Sequence, residues 1–179
     1  MKRDELYFRY LKNELYFSKL AIENINSIAD DEIGDPKLLF YHSNVLFSAL
    51  ANISKLICDT KRDRTTERPQ RLRTELKIEY DKIQILNNRK YRNSNEHYDE
   101  RIDNVIKNVE NYYCIDFSVA DFLIADEFQN FGRIYITSER TFYFINAGLD
   151  TESICLNDIE EAINYIRDRV DEYFITNKE

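Results

Sequence analysis

Glycine and proline are scarce, with 3 and 2 residues in a chain of 179. Turns and helix breaks draw mainly on these two residues, so their scarcity predicts long, uninterrupted helices. Metal-ligating chemistry is also thin. The three cysteines, Cys58, Cys114 and Cys155, are odd in number and far apart, and no CxxC occurs. Two histidines cannot complete a zinc site with them at the usual spacings. The cysteines therefore read as reduced core residues, and neither a metal nor another cofactor is expected. The opening MKRDELYFRYLKNEL has no apolar run long enough for a signal peptide or a membrane span. A soluble, cytoplasmic protein without membrane association is the expectation. An excess of positive charge is missing too. The net charge of -8 argues against a coat protein that binds nucleic acid indiscriminately.

What is present is globular. Hydrophobic residues make up 43% and charged residues 32%, with 13 Tyr and 11 Phe but no Trp. Residues 4 to 30 read as a first helix, with Tyr7, Leu11, Leu15, Ile22, Ile25 and Ile28 at helical spacing. Gly34-Asp35-Pro36 stops that run, and Pro36 can open the next helix in its first turn. The second helix extends to about Cys58 on a stripe of Leu39, His42, Leu46, Leu50, Ile53 and Ile57. Phe40, Val45, Phe47 and Leu56 make it apolar most of the way round, which predicts a central position. A third helix is expected over roughly 71 to 87 and a fourth farther on, where Ile102, Val105, Ile106, Val109, Tyr112 and Tyr113 share a face. Residues 1–113 thus read as a four-helix bundle.

Residues 114–179 read as an α+β extension packed on that bundle. CIDFSVADFLIA suggests a strand, RIYITSERTFYFIN a hairpin turning at Ser138-Glu139-Arg140, and TESICL a further short strand. A β-hairpin or small antiparallel sheet is expected. A last helix should start at Asn157, capped by its side chain, with Glu160 completing a capping box. Ile159, Ala162, Ile163, Ile166 and Val170 should face inward.

Charge and polarity concentrate in two places. Residues 61 to 73, KRDRTTERPQRLR, carry Arg64, Arg68 and Arg71 among six basic residues against two acidic ones. The run is either a solvated loop or a phosphate-contacting arm. The second place is RKYRNSNEHYDERID at 89 to 103. Asn93 can cap the fourth helix, with Glu96 three residues on and His97 in the first turn. A helix N-terminus attracts phosphate, and Arg92 beside it adds a cation able to grip phosphate oxygens. His97 lies roughly 120° round an ideal helix from the apolar stripe, with Arg101 one turn on along its own side. An Arg–His–Arg cluster outside the core suits RNA cleavage without metal. A histidine can exchange protons with the 2′-hydroxyl and the leaving oxygen, and arginine can stabilise charge on the phosphate. One histidine cannot easily be both base and acid in one turnover, whereas a twofold dimer supplies two. The plainer reading of His97 is a surface histidine bonded to Glu96 or Asp99. That of His42 is a core histidine, and the aromatic residues at helical spacing are core or interface before they are stacking platforms.

Arg92-Asn93-x-x-x-His97 between the third and fourth helices of an α-bundle resembles the R-x4–6-H motif of the HEPN superfamily, and EHYDERID and ALANISKLI resemble bacterial members. The resemblance covers roughly residues 1 to 113. It implies a helical bundle that dimerises with both motifs facing one cleft. It implies a metal-independent endoribonuclease of toxin–antitoxin, abortive-infection or CRISPR-linked type. Arg92 and His97 would then be the catalytic pair and Asn93 their polar support; Arg101, Arg64, Arg68 and Arg71 are candidates for binding substrate on their charge and position. The implied partners are a second copy, RNA and a cognate antitoxin or other protein. Asp99 stands where some toxin members carry a tyrosine, which departs from the tyrosine-modifying antitoxin pattern. The alternative is a non-catalytic HEPN-like module that binds a protein partner or a nucleotide.

Overall fold

The computed structural model describes residues 3–31, 34–58, 67–87, 118–121, 133–145 and 151–177. The described chain is mainly helical, with a small four-stranded mixed sheet and a C-terminal helix.

Helix α1 (Arg3–Ala29) and helix α2 (Pro36–Ile57) pack on each other more extensively than any other pair among the described residues. The expected stripe of α1 is the face that packs, for Leu11, Leu15, Ile22 and Ile25 are buried. Gly34 closes the connection between them. A Cβ there would fall 2.1 Å from the Ile28 carbonyl oxygen, so no other residue fits without moving the backbone. Asp35 then caps α2, its carboxylate accepting from the Lys37 N–H at 2.9 Å, and Pro36 occupies the first turn as expected.

Helix α2 is central. Leu39, Leu46, Leu50, Ile53 and Ile57 are buried, and so are Phe40 and Phe47. The two phenylalanines meet Phe142 edge-on, with ring centroids 6.0 and 5.5 Å away, so the helix is covered by α1 and by the sheet. Edge-to-face pairs of this kind add about 0.5–1.5 kcal/mol each beyond the area they bury. His42 sits at the margin of the stripe, half-buried, with its ring edge-on to Tyr41.

The single third helix expected over 71 to 87 is two segments: α3 (Arg68–Glu75) and a 3-10 helix (Tyr80–Asn87). The break carries neither glycine nor proline. Lys77 adopts the left-handed conformation at φ 54°. The Ile78 N–H returns to the Arg73 carbonyl at 2.8 Å and the Lys77 N–H to Thr74 at 3.2 Å. This is a Schellman ending, and its apolar contact is supplied by burial of Ile78 and Leu72 in one core. Lys77 takes a conformation in which glycine is the usual occupant, which is why the stop was not visible as a breaker residue.

Strands β1 (Ser118–Ala120), β2 (Arg133–Ile136), β3 (Thr141–Ile145) and β4 (Thr151–Cys155) lie side by side in chain order. The expected hairpin is β2–β3, in register Ile136↔Thr141 and Arg133↔Phe144, and β4 continues it antiparallel. The sheet is not purely antiparallel, because β1 pairs parallel to β2 through Ser118↔Ile134. Helix α4 (Leu156–Thr176) follows β4 directly. The five residues expected to face inward are all buried, and Leu156 at its start is buried with them. Its start differs, since Cys155 is the cap residue and Asn157 makes no capping bond. Asn157 and Glu160 instead turn to the Arg140 guanidinium. Side chains from α1, α2, α3, the 3-10 helix, β2, β3, β4 and α4 contribute to one continuous core. The helical part and the strand-containing part therefore pack together, while the expected boundary at 113/114 and the expected fourth helix lie outside the described residues. Of the cysteines, Cys58 is buried as expected, but Cys155 is only half-buried at the end of β4, so it is not a core residue.

One four-letter word occurs twice in α1, Glu-Leu-Tyr-Phe at 5–8 and at 14–17. Nine residues at roughly 100° each come to two and a half turns, so the second copy faces the opposite way. Phe8 is 0% exposed and Phe17 48%, while Leu6 is 59% exposed and Leu15 2%.

Candidate functional site

Of the residues assigned to the site from sequence, Arg92, Asn93, His97, Arg101 and Arg64 lie outside the described residues. The chain leads toward them from a fixed point. In the 3-10 helix Ile83 and Leu86 are buried, and the segment packs against α4 and α2.

Arg68 and Arg71 are both in α3, and both are engaged by the protein itself. Arg71 grips Asp4 of α1 through two bonds, Nε–Oδ2 at 3.0 Å and Nη2–Oδ1 at 2.8 Å. This carboxylate raises the Arg71 pKa above its ordinary value. Arg68 Nη2 donates to the Lys55 carbonyl at 2.9 Å, and Arg73 Nη1 donates to the Ile57 carbonyl at 2.6 Å. The two arginines thus meet carbonyls of the last turn of α2, where the helix leaves acceptors open and its dipole is negative. Arg73 also stacks over Tyr80 at 4.9 Å and Arg68 over Tyr7 at 5.8 Å. The basic face of α3 fastens the start of α1 to the end of α2, and an RNA phosphate at Arg71 would compete with Asp4.

A second polar cluster, which the sequence marked only as a turn, centres on Arg140. The residue is left-handed at φ 48° in the β2–β3 connection. Its Nη2 lies 2.9 Å from Asn26 Oδ1 of α1 and 2.9 Å from Glu160 Oε2 of α4, and its Nη1 donates to Asn157. Burial alone would lower the Arg140 pKa, but the Glu160 carboxylate and, after it, Tyr135 together reverse that and hold it above the ordinary value. The cluster ties hairpin, α1 and α4 into one unit. Nearby, the Tyr143 hydroxyl donates to Glu139 at 2.6 Å, and that bond, aided by burial, pushes its pKa up to about 12. Tyr143 is therefore a neutral phenol at physiological pH.

A cleft of about 240 Å³ lies between the end of α3 and α4, with Lys77, Arg169, Glu75 and Glu172 on its walls. Arg169 is paired to Glu172 at 2.9 Å, so two basic and two acidic side chains leave the cleft without a preferred sign of ligand. Among the described residues no group of three His, Cys, Asp or Glu side chains could hold a metal ion. No described helix is long and apolar enough to cross a membrane.

No family model matches the chain, and neither a curated protein nor a solved structure does.

Proposed function

We propose that the chain is a metal-independent endoribonuclease of the HEPN type, acting at a homodimer cleft as a toxin or antiviral-defence component. The observation that carries the reading is Arg92-Asn93-x-x-x-His97 in the sequence, a motif that follows a run of packed helical segments. In this reading His97 exchanges protons with the ribose 2′-hydroxyl and the leaving 5′-oxygen, and Arg92 stabilises the charge that develops on the phosphate. Asn93 supports the pair, Arg101 and Arg64 contact substrate, and Arg68 and Arg71 would do so only by giving up the Lys55 carbonyl and Asp4. Purified protein should cleave RNA in the presence of chelator and leave cyclic phosphate ends. His97→Ala should abolish that cleavage and Arg92→Ala should lower it by about 10²-fold or more. If both variants cleave as the unaltered protein does, the site is misassigned.

The second reading is a non-catalytic HEPN-like module for a protein partner or a nucleotide. It is favoured by the charge of -8 and by the prior engagement of Arg68 and Arg71 within the chain. RNA left intact, together with a calorimetric binding signal for a nucleotide, would decide for it.

A further inference from the structure

Helix α1 has two apolar faces. One is spent on α2 and α4, through Leu11, Leu15 and Ile22 and through Phe8 edge-on to Tyr173 at 4.5 Å. The other is open. Leu6, Tyr10, Phe17 and Leu20 are all exposed large hydrophobics, and at about 100° per residue they fall within roughly 80° of one another, with Asn13 among them. A helix apolar on two sides is normally covered on both. With Tyr16 beside it, this stripe offers roughly 500 Å² of open side-chain surface. That is at the upper end of what a monomer exposes in one patch.

We infer that this stripe is where a second copy of the chain packs, α1 against α1, antiparallel about a twofold axis at Asn13. Three observations select a second copy. The first is spacing. Leu6 and Leu20 are each seven residues from Asn13, and Tyr10 and Phe17 are three and four residues from it. Turned end for end, the stripe sets Leu6 opposite Leu20 and Tyr10 beside the Tyr16–Phe17 pair, the self-complementarity that a twofold interface requires. The exposed Asn13 meets its own copy at the axis, where an Asn pair fixes register. The second is charge. The chain carries -8 overall, but α1 holds four basic and four acidic residues and is neutral. It is a surface on which two acidic molecules can approach with little repulsion. The third is area. Roughly 500 Å² of apolar surface per partner, widened by a polar rim, comes close to the ~800 Å² that a standard interface takes from each side. The inference does not rest on the ribonuclease reading, because α1 can pair whether or not residues 92–101 cut RNA.

The test is the mass of the full chain in solution across a concentration series, by sedimentation equilibrium. The unaltered protein should be a dimer. Phe17→Glu and Leu20→Glu should each weaken it at least about 30-fold, with circular dichroism and thermal midpoint of the monomer unchanged. Asn13→Cys should form an intermolecular disulfide on mild oxidation that neither the unaltered chain nor Lys19→Cys forms, since Lys19 lies roughly 140° round the helix from the stripe. An unaltered protein that is monomeric at every concentration would overturn the inference. Loss of monomer stability in Phe17→Glu would do the same, because the stripe would then be covered by the protein's own chain. A dimer that survives Phe17→Glu and gives no Asn13→Cys cross-link would also overturn it, while leaving the ribonuclease reading intact.

Discussion

The two copies of Glu-Leu-Tyr-Phe in α1 have the same letters and nearly opposite surroundings. In the first, Phe8 is buried beside Tyr173 and Leu6 is open. In the second, Leu15 is buried and Phe17 is open. The glutamates differ as well. Glu5 pairs with Arg9 at 2.8 Å on the surface, whereas Glu14 is buried, only 8% exposed, and its carboxylate bonds the Tyr10 hydroxyl, whose pKa it raises. Within the four letters themselves nothing separates the copies except phase, although Arg9 follows the first and Ser18 the second. A residue's energetic weight in this helix is therefore set by its angle relative to α2 and α4, and hydrophobicity alone does not rank it.

The sharpest way to break that comparison is to truncate the same letter in each copy. Phe8→Ala should cost about 3–5 kcal/mol and Leu15→Ala about 2–5 kcal/mol. Phe17→Ala and Leu6→Ala should stay within about 0.5 kcal/mol of the unaltered chain. Urea unfolding at protein concentrations too low for association is the measurement. Equal costs in the two copies would mean that phase is not what distinguishes them.

A smaller effect should come from Lys77, which resets the helical phase between α3 and the 3-10 helix. Lys77→Gly places the residue best suited to a left-handed ending there, and should stabilise by up to about 1 kcal/mol in the same unfolding experiment. A loss of stability would show that the lysine side chain contributes more than its backbone strain costs.

The smallest effect concerns the two glutamates. Tyr10 keeps its proton in the folded state at a pH where the unfolded chain releases it. Its contribution to stability is therefore complete below about pH 10 and is lost as pH rises through the folded value. Glu14→Gln should bring the Tyr10 titration down toward the ordinary phenol range, and Glu5→Gln should leave it in place. Phenolate absorbance, taken as a difference against Tyr10→Phe, reads this directly. An unchanged titration in Glu14→Gln would remove Glu14 as the cause.

The elements with a strong period were legible. The runs in α1, α2 and α4 repeat at helical spacing, and β2 and β3 flank a polar turn, so local pattern and tertiary burial agree. What was not legible depended on partners far along the chain. Arg71 reads as a free cation in a basic run, yet its carboxylate partner, Asp4, is 67 residues away. Asn157 and Glu160 read as a capping box, yet Arg140 draws both side chains to itself. The parallel β1–β2 pairing joins segments with no local signal for direction. Of the site, Arg92, Asn93, His97 and Arg101 are legible as a motif whose geometry is outside the described residues, and Arg68 and Arg71 are placed as fasteners of α3.

By itself the order of residues determined where helices and strands could form, because the 3.6- and 2-residue periods act through neighbours only a turn or a pleat away. It also determined that α1 would carry apolar residues on two sides. Only the tertiary structure decided which of those sides is core, which arginines are consumed by carboxylates and carbonyls, and that a lysine would end α3. Each of these turns on free energy gained from groups distant in sequence, which no local pattern records.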